Sequence, residues 1–146
     1  MIPELNESGF LPPGIHVATL EEVEARFGAS PHRRQLFRGL RAVAEVLRHA
    51  GCPALYLDGS FATGKDLPND FDGCWDMYGV DPGLLDPTLL DFRNSRAAQK
   101  LRFGGELFPA SSNEVGSGKT FLEFFQTDKD TGAAKGIVKI ELQRVQ

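Results

Sequence analysis

Cysteine is scarce in this chain: Cys52 and Cys74 are the only two, and their spacing fits neither a zinc ribbon nor a disulfide framework. Both are expected as reduced, packed thiols. His16, His32 and His49 show no metal-ligand spacing, so each reads as a surface or packing residue. No run of eighteen apolar residues occurs, which gives no candidate for a membrane span. The opening MIPELNESGF has neither a basic start nor an apolar stretch of signal-peptide length. Together these absences predict a cytoplasmic chain with no membrane partner. Internal repeats and low-complexity tracts are missing too.

What is present suits one globular domain, 1–146, since 146 residues of which 41% are hydrophobic can bury a real core. Charge is distributed unevenly. From Asp58 to Asp91 eight aspartates stand against Lys65 alone, a segment charge of −7. From Pro31 to Ala50 five arginines (Arg33, Arg34, Arg38, Arg41 and Arg48) stand against Glu45, a charge of +4. An acidic half beside a basic helix is a sensible layout for handling polyphosphate and an anionic acceptor, although the solvated face of an amphipathic helix is the simpler account of the arginines.

Residues 58–76 read DGSFATGKDLPNDFDGCWD, with Gly59-Ser60, nine intervening residues, then Asp70-Phe71-Asp72. In a strand, Asp70 and Asp72 project from one side while Phe71 enters the core. Two adjacent carboxylates require a cation, and hard oxygen ligands suit Mg²⁺, whose shell is completed by water and substrate phosphates. Gly59 lets backbone approach a ligand closely, and Ser60 adds a hydroxyl and an N–H suited to phosphate oxygens.

This pattern resembles the signature of the nucleotidyltransferase superfamily, which includes polymerase-β-like enzymes and minimal bacterial nucleotidyltransferases. Gly59, Ser60, Ala62 and Gly64 fall in the register of its Gly-Ser-x-Ala-x-Gly, and Asn69 is the small polar residue before the first aspartate. Asp58 and Gly73 depart from it, standing where an apolar and a β-branched or leucine residue are usual. The resemblance implies that Asp70 and Asp72 hold one or two Mg²⁺ ions and that Gly59, Ser60 and Lys65 bind a nucleoside triphosphate. It also implies a third carboxylate on a neighbouring strand. Glu106 is the first candidate because it begins the strand expected beside Asp-x-Asp; Asp76, Glu141 and Glu123 follow. The implied reaction moves a nucleoside monophosphate to an RNA or protein hydroxyl. Short members of this kind are often toxins of toxin–antitoxin or phage-defence pairs, with a cognate antitoxin or regulatory protein as partner. The alternative is a non-catalytic binding or regulatory protein that kept the fold.

The expected fold class is α/β (α+β), a small mixed sheet with packed helices. Residues 1–18 are expected as an N-terminal arm, since Pro12-Pro13 favours polyproline II and excludes helix. Thr19 and Gly28 bracket one helix; Ser30-Pro31 and Gly51 bracket a longer one, with Leu36, Phe37, Leu40, Val43, Ala44 and Leu47 on its buried stripe. Strands are expected at 54–58, 71–80, 106–108 and 136–142, and helices near 93–103 and 121–125. Trp75, out of phase with the aspartates, belongs to the core. Gly116-Ser117-Gly118-Lys119-Thr120 looks like the end of a phosphate-binding loop, but Asn113 stands where that motif needs glycine, so a surface loop is expected.

Overall fold

The computed structural model describes residues 2–58, 60–63, 65 and 68–143, with Ser60 described by its backbone alone. The chain enters through a strand, β1 (Gly14–Ala18), so the last part of the expected arm is sheet. The Pro12-Pro13 pair ends at the strand's threshold, where His16 Nε2 lies 2.7 Å from the Pro12 carbonyl oxygen. Thr19 then caps α1 (Leu20–Phe27): its side chain accepts from the Glu22 N–H, and the Glu22 carboxylate accepts from the Thr19 N–H. Ser30 caps α2 (Pro31–His49) with Pro31 in the first turn. The stripe Leu36, Phe37, Leu40, Val43, Ala44 and Leu47 is buried as its spacing requires.

Strand β2 (Ala54–Asp58) leads through a 3₁₀ turn (Ser60–Ala62) to β3 (Phe71–Trp75). The second strand was expected to run to Val80, but it ends at Trp75. Asp76 turns its carboxylate back to accept from the Tyr78 N–H at 2.9 Å, and Gly79 takes a left-handed φ of +74°. Next come α3 (Arg93–Phe103), β4 (Gly105–Pro109), the short α4 (Phe121–Phe124) and β5 (Gly136–Glu141). The five strands form one mixed sheet in the order β1-β5-β2-β3-β4. The outer pairs β1/β5 and β3/β4 are parallel, and the two central pairings are antiparallel.

Alternation divides this sheet chemically. Leu55, Leu57, Phe71, Trp75, Leu107, Val138 and Ile140 join the large core formed with α1, α2 and α3. On the opposite face Tyr56, Cys74 and Ile137 pack with Phe108 against α4 and Phe125. Both thiols are free and buried, and burial pushes Cys52 up to about 11 and Cys74 to about 12. Gly73, which departs from the nucleotidyltransferase pattern, is required by packing. A Cβ there would lie 2.2 Å from the Tyr56 carbonyl oxygen on the neighbouring strand. No helix among the described residues is long and apolar enough to cross a membrane.

Candidate functional site

The α4 face changes character at one end of the sheet. Asp58 ends β2 and is in register with Asp72 on antiparallel β3, while Asp72 is in register with Glu106 on parallel β4. Equal register on adjacent strands puts three carboxylates on one face in a row. They lie in an open cleft of about 1250 Å³, whose lining also includes Thr63, Lys65, Arg96, Lys135 and an aromatic group, Phe10, Phe108, Phe121 and Phe124.

Asp72 is the centre of this row. Its Oδ1 is buried and has no hydrogen-bond partner among the described residues. Burial first, then the charges of Asp70, Glu106 and Asp58, push its carboxyl up to about 7. Asp70 stands one residue before β3 begins, and its charge acts on Asp72. Its pKa is raised by burial and by Glu106. The outer carboxylates are ion-paired. Lys135 Nζ lies 3.2 Å from Asp58, while Arg96 Nε and Lys100 Nζ lie 3.1 and 3.2 Å from the same oxygen, Oε2, of Glu106.

The residue set fits a hard divalent cation in its donors, since an unpartnered buried carboxylate oxygen is what such an ion satisfies. The present arrangement is not yet a cage: among the described residues, no group of three His, Cys, Asp or Glu side chains is gathered closely enough to hold a metal. Glu106 occupies the neighbouring-strand position expected of the third carboxylate. Asp76 and Glu141 do not, because Asp76 lies beyond β3 and Glu141 pairs with Ala54 at the opposite end of β2. Glu123 closes the cap of α4 and is exposed. Nothing in the local sequence marks Asp58 as part of the site; the antiparallel β2/β3 register is what makes it a neighbour of Asp72.

Of the nucleotide-binding candidates, Gly59 lies outside the described residues, as does Gly64 of the same motif, and Ser60 is described in its backbone only. Lys65 lines the cleft. Its loop is held from below by Arg33, a residue of the basic helix that points inward. Arg33 donates to the carbonyls of Phe27, Phe61, Thr63 and Lys65. Beside it, His32 Nε2 meets the Pro68 carbonyl. The exposed arginines Arg34, Arg38 and Arg41 lie on α2, which covers the other face of the sheet, so the basic surface and the acidic row do not adjoin on one face.

At the rim, Asn94, Ser95 and Arg96 all adopt left-handed backbone angles, with φ of 51°, 55° and 61°. For residues with a Cβ this costs roughly 1–2 kcal/mol each. The turn brings the Arg96 guanidinium to 5.4 Å from the Phe108 ring centroid as well as to Glu106. Phe108 is itself stacked on Phe121, with centroids 4.1 Å apart. The Gly116–Thr120 segment is a loop: Glu114 binds its backbone, and the helix that follows has four residues, unlike a phosphate-binding loop.

The chain belongs to a family of unknown function, DUF6932, whose model matches residues 3–141. No curated protein and no solved structure matches it.

Proposed function

We propose that this member of DUF6932 is a Mg²⁺-dependent nucleotidyltransferase that moves a nucleoside monophosphate from a triphosphate to an RNA or protein hydroxyl. The observation that carries the reading is the row Asp58, Asp72, Glu106 on three adjacent strands, with the central carboxylate buried and its Oδ1 unpartnered. Asp72 and Asp70 are the residues to hold the ion, with Glu106 as third acid and Asp58 beside them. When bound, Mg²⁺ would neutralise charge on the attacking and leaving oxygens. The chain's own residues do the remainder. Lys65, on a loop fixed by Arg33, and Lys135 supply positive charge for the phosphates. Glu106, as third acid, would take the proton of the acceptor hydroxyl as that oxygen bonds to the α-phosphorus, and the bond to the bridging oxygen breaks so that pyrophosphate leaves on the far side.

Within this reading the protein acts in the cytoplasm, as a toxin or defence component held by a cognate antitoxin or regulatory protein. One observation favours a second reading, a binding or regulatory protein. Both outer acids are already neutralised by lysine or arginine. Calorimetric titration with Mg²⁺ and each triphosphate, followed by an assay for pyrophosphate release with RNA and protein acceptors, separates the two. Binding and release that Asp72→Asn abolishes support the enzyme. Binding without release supports the regulator, and no binding of any triphosphate at millimolar concentration removes the enzyme and leaves only a regulator that works without nucleotide.

A further inference from the structure

We infer that Arg96 and Lys100 couple polyphosphate binding to assembly of the carboxylate site: they neutralise Glu106 in the free protein and pass to phosphate oxygens when a triphosphate enters. This rests on the nucleotidyltransferase reading above and adds the order in which the site is loaded.

The geometry supports an exchange. Arg96 and Lys100 are four residues apart on α3, and both converge on Glu106 Oε2 at 3.1 and 3.2 Å. Their side chains are 29% and 41% exposed, whereas that of Glu106 is 17% exposed. Partly exposed pairs of this kind contribute little and exchange readily. A triphosphate offers more negative charge and more acceptor oxygens than one carboxylate, and arginine binds phosphate through a two-pronged fork.

Charge balance sets the order. Asp58, Asp70, Asp72 and Glu106 are matched by Lys65, Arg96, Lys100 and Lys135, so when all are ionised a lone divalent cation meets a nearly neutral cluster. A triphosphate that draws Arg96 and Lys100 towards itself leaves the acids with a net negative charge. Metal affinity then rises, and by linkage the metal raises triphosphate affinity by the same factor. Arg96 and Lys100 are thus positioning residues, acting on the metal site through Glu106.

The test uses Mn²⁺ as a paramagnetic probe on the full chain without nucleotide. The Arg96→Gln/Lys100→Gln protein should bind Mn²⁺ about tenfold more tightly than wild type, because two nearby positive charges are gone. In a chelator-treated solution, Glu106→Gln should bind a non-hydrolysable triphosphate about fivefold more tightly than wild type, since both cations are released from their carboxylate. Circular dichroism and melting curves establish that each variant is folded. Mn²⁺ affinity unchanged by the double substitution, in a protein that still binds triphosphate with Mg²⁺, overturns the coupling and leaves the nucleotidyltransferase reading standing. Failure of every variant and wild type to bind any triphosphate overturns both.

Discussion

The two faces of β2, β3 and β4 differ by one residue in sequence and almost completely in chemistry. Leu57, Phe71 and Leu107 point to the α1–α3 side and are essentially sealed from solvent. Their neighbours Asp58, Asp72 and Glu106 point the other way into the cleft. The helix face is filled by shape, each side chain supported by apolar contacts that add to stability. The cleft face is held by charge, and its central carboxylate has an unmet hydrogen-bonding demand. A site can be built on a rigid sheet at little structural expense when the opposite face supplies the stability.

The sharpest way to break this comparison is to change adjacent residues. Phe71→Ala should destabilise by about 3–5 kcal/mol through the cavity it leaves, read as a lowered urea midpoint. Asp72→Asn should leave the free protein as stable or more so, since it removes a buried charge surrounded by like charges, while abolishing metal-dependent transfer. Loss of cooperative unfolding in Asp72→Asn would make this carboxylate structural and end the division between faces.

Arg33 tests how far the helix face supports the cleft. Replacing it by methionine leaves the carbonyls of Phe27, Phe61, Thr63 and Lys65 without their donor, and each unsatisfied buried group costs about 1–3 kcal/mol where water cannot reach it. The expected result is a loss of about 2–4 kcal/mol, less than the sum because part of the loop can hydrate. Protease cleavage within 61–69 should accelerate in the same variant. An unchanged cleavage rate would show that the loop is held by other contacts.

Local sequence carried the elements with chemical punctuation. Thr19 with Glu22, Ser30 with Pro31, and the apolar stripe of α2 each announced a helix through interactions within a few residues. Alternation likewise placed Phe71 and Trp75 in the core. What it could not carry was register between strands: Asp58 became part of the acidic row only through pairing with Asp72. Nor does composition say which arginine of a basic helix turns inward, since Arg33 is selected by carbonyls from two separate stretches of chain, Phe27 and the 61–65 loop. Strand β1 was hidden because the prolines just before it, Pro12 and Pro13, dominate the local pattern, whereas its partner β5 lies more than a hundred residues away. The left-handed turn of Asn94-Ser95-Arg96 has no glycine to signal it.

A pH series sharpens the comparison more gently. Asp72 is held near 7, above its ordinary value of 3.8, so the folded protein binds more protons than the unfolded chain between those values. Stability contributed by Asp72 is therefore fully present below about pH 4 and lost as pH rises through about 7. Asp72→Asn cannot titrate and should lose that slope, its advantage over wild type growing from pH 4 to 8 in urea unfolding. Parallel wild-type and variant curves would show that solvent reaches Asp72 freely. Phe71→Ala, altered on the opposite face, should retain the wild-type slope.

The smallest expected effect lies at the rim of the cleft. Ser95 is exposed and has a φ of 55°, so its side chain makes a backbone conformation costly without providing core packing. Glycine adopts that conformation without the Cβ penalty of roughly 1–2 kcal/mol, while greater freedom in the unfolded chain returns about 0.5–1 kcal/mol. Ser95→Gly should therefore stabilise the protein by up to about 1 kcal/mol, measured as a raised urea midpoint with unchanged slope. Glycine at a right-handed helical position, as in Ala98→Gly, should destabilise instead by about 1 kcal/mol. Destabilisation at both positions would mean that residues 94–96 are right-handed in solution, and Arg96 would then have to reach Glu106 from a different backbone.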